Sequence, residues 1–147
     1  MEFKKESVKA CYEEALPLLK AHWEEIAHYK DIPLEPIYEE YLKIEELGLT
    51  RVYTSRKEGK LIGYMVVFVR YHMHYASSLH AVQDILFISE AHRGIGAKFI
   101  LWCEDQLRAE GVQVICQHMK AAHDKTVFMR RLGYELVDHI FTKRLDT

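Results

Sequence analysis

Apolar positions recur at helical spacing in the first third of the chain and then change to strand-like runs. Cys11, Ala15, Leu18, Leu19, Trp23 and Ile26 fall three and four residues apart. That stripe predicts a helix over 8–28 with Ser7 as its N-cap. Pro17 lies inside it, where a missing amide donor should kink or split the helix. A break at KDIPLEP follows, and Pro36 suits the first turn of a second helix. Ile37, Tyr41, Ile44 and Leu47 would form its buried face, and Gly48 its stop.

The period then falls to two. Residues 51–56 read as a strand, KEGK as a hairpin turn, and 61–69 as a strand buried on both faces. RYHMHYASS reads as a loop, and 79–88 as a further long strand. SEAHRGIG leads into a helix over 94–110, with Phe99, Ile100, Cys103 and Leu107 on its apolar face and Gly111 just past its end. A strand over 112–119, a helix over 124–132 ended by Gly133, and a strand or bent pair over 134–145 complete the chain. A short strand at 2–5 also fits. This order predicts one α/β domain over 1–147 with a mixed central sheet. The sheet is antiparallel in its first half and has one parallel strand–loop–helix–strand crossover.

Composition narrows the classes. Twenty Lys and Arg against 22 Asp and Glu leave a net charge of −2, which argues against a nucleic-acid partner. Three cysteines without C-x-x-C spacing argue against a disulfide framework or an all-cysteine zinc site. His72-x-His74 has no third ligand at a telling spacing, so no metal is expected. The N-terminal residues carry no apolar signal-type run, and the longest apolar stretch, 61–69, is too short to cross a bilayer. A cytoplasmic protein without a membrane partner is the expectation.

Seven glycines are few for 147 residues. Gly94 and Gly96 stand together between a strand and a helix, where small residues permit close backbone approach. A helix start offers amide donors and partial positive charge to a phosphate or pyrophosphate. Arg93 and Lys98 add charge beside it. The phosphate-loop pattern G-x-x-x-x-G-K-[ST] is absent, and Phe99 breaks the dinucleotide pattern G-x-G-x-x-G.

The run LFI, Glu90, Arg93-Gly94-Ile95-Gly96 and Phe99-Ile100 resembles the acyl-CoA loop of the GNAT acetyltransferase superfamily, [QR]-x-x-G-x-[GA] followed by an apolar pair. With Gly94 and Gly96 on the two small positions, Phe99 and Ile100 fall in register. Ala91 then takes the Gln/Arg position, and Arg93 stands two residues late. Arg131-Leu132-Gly133-Tyr134 resembles the K-L-G-F that closes the family's last helix.

The resemblance implies a GNAT-like fold and acyl transfer from acetyl-CoA to a primary amine of a small molecule or protein. It implies no metal. The acceptor is unidentified, and a homodimer is left open. It implies cofactor contacts at Leu86, Phe87, Ile88, Arg93, Gly94, Ile95, Gly96, Ala97, Lys98, His123 and Phe128. It points to Asp84 as general base. Met129 stands where many members carry a tyrosine acid, which leaves the acid open among Tyr134, His123, His118 and water, with Tyr134 the named candidate. The alternative is a silent module that keeps the acyl-CoA pocket, or only the fold, and binds without transferring.

Overall fold

The computed structural model describes residues 1–147. Strand β1 (Glu2–Glu6) opens the chain, followed by helices α1 (Val8–Ile26) and α2 (Tyr38–Glu46). Strands β2 (Thr50–Lys57), β3 (Lys60–His72) and β4 (Tyr75–Ile88) come next. A 3-10 turn, Glu90–Ile95, runs directly into α3 (Gly96–Ala109). Strand β5 (Val114–Cys116) and helix α4 (Thr126–Arg131) follow. The five strands lie in chain order, antiparallel from β1 to β4 and parallel between β4 and β5.

Ser7 caps α1 as its position predicts, its side chain accepting from the Ala10 amide at 3.1 Å. Pro17 does not split the helix, which continues to Ile26. Helix α2 starts two residues later than expected. Its packed face is Tyr38, Tyr41 and Leu42, whereas Ile37 and Leu47 are exposed. The β2–β3 hairpin turns at Glu58 and Gly59, both at positive φ, which matches the twist of paired strands.

RYHMHYASS is no loop. Strands β3 and β4 run through it, with His72 opposite Tyr75 and only two residues between them. Strand β5 is shorter than its sequence pattern, and 134–145 forms no strand. That last segment never meets a partner strand, and period-two patterning alone cannot supply one.

Two cores cover the two faces of the sheet. On one, α3 places Phe99, Cys103 and Leu107 over Met65, Val67, Val69 and Ala81. On the other, Val8 and Cys11 of α1 pack with Val52, Tyr64, Val66 and Phe87, and α2 adds Tyr41 and Leu42. Burying one such side chain contributes about 1.5–3 kcal/mol. A part-buried ion cluster ties the first elements together: Arg56 of β2 bonds Glu6 of β1 and Glu14 of α1 at 2.9–3.1 Å. Gly63 sits against β4 so closely that a Cβ there would lie 2.9 Å from the Phe87 carbonyl oxygen.

Candidate active site

The site starts from an irregularity in β4. Val66 of β3 pairs with Ile85 and Val67 pairs with Gln83, so Asp84 is the extra residue of a β-bulge. The bulge reverses the in–out alternation. Strict period-two alternation would put His80, Val82, Asp84, Leu86 and Ile88 on one face. Instead Leu86 and Ile88 join the α3-side core with Ala81, while Ile85 and Phe87 join the opposite core.

Asp84 turns toward α2. There the Tyr41 hydroxyl donates to its Oδ2 at 2.5 Å. Neither Arg70 nor Arg51 pairs with it: Arg51 bonds Glu110, and Arg70 reaches Met73. Burial, then the bond to Asp84, holds the Tyr41 phenol well above its usual range, so Tyr41 stays a donor.

The same strand carries an open edge. β5 pairs with β4 only from His80 to Val82. Past that point the strands part. Buried Gln83 instead accepts the His118 amide on its side-chain oxygen at 3.2 Å. Residues 84–88 therefore have β3 on one side and no strand on the other. Their backbone groups on that side have no strand partner.

β4 leads through Ser89 into the glycine turn. The helix begins at Gly96 rather than at 94, and the Gly96 amide donates to the Arg93 carbonyl. The helix start is thus continuous with a 3-10 turn, not bare, and no side chain caps it. Neither glycine has a positive φ. A Cβ on Gly94 would meet nothing within 4 Å. One on Gly96 would touch Ile88 Cδ1 at 3.7 Å and Phe128 Cζ at 3.8 Å, ordinary contacts. The fold itself needs glycine at neither place.

Arg93 is held rather than free. Its Nη2 bonds Glu25 of α1 at 2.6 Å and its Nε approaches the Ile88 carbonyl at 3.3 Å. That guanidinium keeps the Glu25 carboxyl below the ordinary range. Beside it, the His22 ring packs on Phe87 with centroids 4.9 Å apart. Burial pushes its imidazole below the usual value, against the pull of Glu25. Ile95 packs on the α3-side core, Ala97 is half-buried, and Lys98 and His123 are exposed. Phe128 and Met129 are half-buried on α4. A shallow cavity of about 340 Å³ lies along α4, lined by Asp124, Lys125, Thr126, Val127, Phe128 and Arg131.

Tyr134 lies between α3 and the chain after β5. Its hydroxyl donates to Glu104 at 2.6 Å and accepts from Gln117 at 2.7 Å. Burial, then the bond to Glu104, keeps that phenol protonated far above neutral pH. The structure thus sets Asp84, Leu86, Phe87 and Ile88 on the strand that runs into Gly94 and Gly96, and places Ile88 and Phe128 beside Gly96. Tyr134 has its own partners across α3. Tyr41, His22, Gln83 and Glu25 were not singled out for these contacts from sequence. The available signal was Asp84 itself: a carboxylate on an apolar strand needs a donor, and the tyrosines of α2 are the nearest supply.

No family model and no curated protein matches the chain. Solved structures do. An aminoglycoside acetyltransferase from an uncultured soil metagenomic sample, in complex with sisomicin, superposes with a TM-score of 0.75 at 16% identity, covering 97% of this chain and 95% of that one. Glucosamine-6-phosphate N-acetyltransferase from Arabidopsis thaliana gives 0.74 at 14% identity, over 99% and 98%. AAC(6')-Iy, bound to the bisubstrate analogue CoA-S-monomethyl-acetylneamine, gives 0.69 at 16%, over 99% and 98%. The chain has the GNAT fold. Within that fold, the bulge at Asp84 and the unpaired edge at 84–88 lie on the strand that leads into the glycine turn. These three structures are acetyltransferases by name, and what this chain shares with them at 14–16% identity is the fold. No helix of the chain is long and apolar enough to cross a membrane.

Proposed function

We propose that the chain transfers an acyl group from acetyl-CoA to a primary amine. The observation that carries this reading is the unpaired edge of β4 at 84–88, which runs from a carboxylate to a turn with two glycines the fold does not need. The amide-bearing pantetheine arm would add to that edge as a strand does, through backbone hydrogen bonds. Leu86, Phe87 and Ile88 would supply those groups. Gly94, Ile95, Gly96 and Ala97 would let the pyrophosphate approach the chain, with Arg93 and Lys98 as nearby charge. Phe128 would flank the arm, and His123 would stand at its outer end. The residues fit such a ligand because 84–88 have no strand partner on one side and Gly94 and Gly96 add no side chain beside that edge. The co-substrate, when bound, supplies the thioester carbon that the amine attacks.

The acceptor amine must first lose a proton. For a lysine-like amine at pH 7 the neutral form costs about 4–5 kcal/mol. Asp84 would take that proton, directly or through water, while the Tyr41 hydroxyl fixes its carboxylate in place. The departing thiolate would be protonated by water or by Tyr134, whose O–H must first turn away from Glu104. The amine can belong to a small molecule or a protein, and a cytoplasmic setting is part of the proposal.

The test is thiol release from acetyl-CoA across a panel of primary amines. Asp84→Asn should bind CoA like the parent and lose turnover by about 10²–10⁴-fold, the usual worth of a positioned base. Full turnover in Asp84→Asn removes that residue from the mechanism. CoA binding without thiol release for any amine would favour the silent module instead.

A further inference from the structure

The glycine turn carries an arginine, Arg93, whose guanidinium is already engaged in the free protein. Its Nη2 donates to Glu25 Oε2 at 2.6 Å, and its Nε lies 3.3 Å from the Ile88 carbonyl. Ile88 is the last residue of β4, and Glu25 sits in the last turn of α1. The bridge therefore fastens the end of α1 over the point where the unpaired edge of β4 enters the turn. Three residues earlier on α1, the His22 ring packs on Phe87 of the same edge, centroids 4.9 Å apart.

The bridge contributes little to the fold. The Arg93 and Glu25 side chains are 40% and 36% exposed, and ion pairs of that kind add little stability. Helix α1 is docked elsewhere, through Val8 and Cys11 with Ala15 and Leu18. The surroundings of Glu25 are basic. Its bond to Arg93 comes first among the groups that favour its charged form, and His22 and His123 add to it. Lys120 in turn acts on the His22 ring. These side chains come from α1, from the glycine turn and from the chain at 120–123. A carboxylate among them takes the position that an anionic ligand group would take.

We propose that Glu25 is an internal competitor for the diphosphate of acyl-CoA. It holds Arg93 in the free protein, and the ligand must take the guanidinium from it. The inference rests on the acyl-CoA reading of the glycine turn given above. A diphosphate can win this exchange because it offers more charged oxygens than one carboxylate and can also accept from backbone amides. The closed bridge opposes binding twice. It keeps the guanidinium on Glu25 and on the Ile88 carbonyl, and it sets a negative charge beside the incoming diphosphate. Glu25 thereby lowers the affinity for the co-substrate.

Calorimetric titration with CoA tests the proposal without any acceptor or turnover. Glu25→Gln should bind CoA about fivefold more tightly than the parent, the upper worth of a part-exposed pair. Glu25→Ala should show the same gain. Circular dichroism should be unchanged, with Tm within about 4 °C of the parent. Glu24→Gln removes the same charge from the exposed neighbouring position and should leave affinity within about twofold. In an Arg93→Gln background the gain from Glu25→Gln should fall below about twofold, because the competition has lost its object. Equal or weaker CoA binding by both Glu25 variants would overturn the competitor role and leave acyl-CoA binding standing. So would an equal gain in Glu24→Gln, or a gain that persists without Arg93. Absence of CoA binding in the parent and in both Glu25 variants would overturn the acyl-CoA reading, and this inference with it.

Discussion

Replacing Gly96 by alanine separates two duties that a glycine can have. Gly96 sits at φ −52 and ψ −48, inside the right-handed helical region. Its new Cβ would meet Ile88 Cδ1 at 3.7 Å and Phe128 Cζ at 3.8 Å, without compression. Alanine restricts the unfolded chain and strains nothing in the folded one, so the variant should gain about 0.4–1 kcal/mol. At this chain length 1 kcal/mol moves Tm by roughly 2–4 °C, so a rise of about 1–4 °C is expected. The opposite result is expected for binding. A methyl group between Ile88 and Phe128 occupies the approach proposed for the co-substrate, and CoA affinity should weaken by about tenfold or more, equivalent to ~1.4 kcal/mol. Thermal melts of the free protein and a calorimetric CoA titration read both quantities. A melting point lowered by several degrees would show that the glycine serves the fold. Unchanged CoA affinity would place the phosphates elsewhere.

Two further substitutions probe the frame that holds the site. Gly63→Ala drives a Cβ to 2.9 Å from the Phe87 carbonyl oxygen and 3.1 Å from Ile88 Cγ1. Overpacking of this kind costs about 1–3 kcal/mol, and it should also weaken CoA binding because it displaces the open edge of β4. Urea melts and the same titration check both, and a neutral outcome would mean that the strands part freely at that point. Arg56→Leu removes the buried cation that holds half-buried Glu6 and exposed Glu14, and losing these charged hydrogen bonds should cost about 1.5–3 kcal/mol by chemical denaturation. The bond to Arg56 holds the folded Glu6 carboxyl below its unfolded value of 4.5. Its contribution is therefore complete above about pH 4.5 and is lost as pH falls through the folded value. Melts recorded from pH 6 down to pH 3 should show a steeper loss for the parent than for Arg56→Leu, and parallel curves would refute the assignment.

Much of the frame was legible in the residues. The stripe Phe99, Ile100, Cys103, Leu107 is the buried face of α3, Ser7 is the cap of α1, and Gly48, Gly59, Gly111 and Gly133 all adopt positive φ at turns or helix ends. These features are local, so periodicity and backbone preference reveal them. What depends on pairing across the sheet was not legible. The bulge at Asp84 changes which neighbours face which core, and no period-two count can register one inserted residue. The short β5 and the unpaired segment 134–145 fail for the same reason, because a strand pattern states a preference and a partner decides it. Within the candidate site, the glycine pair and the carboxylate were visible, whereas the Tyr41 donor and the Glu25 hold on Arg93 come from residues 43 and 68 positions away.

Everything proposed for the site depends on acetyl-CoA binding along the unpaired edge of β4. A thermal shift with acetyl-CoA reads that binding without any knowledge of the acceptor. At about 100 times Kd a ligand adds ~2.7 kcal/mol of stability. For a chain of this length the melting point should rise on the order of 5–10 °C. That rise is expected in the parent, with a smaller one in Gly96→Ala at the same concentration. A melting point that does not move with millimolar acetyl-CoA or CoA would contradict it.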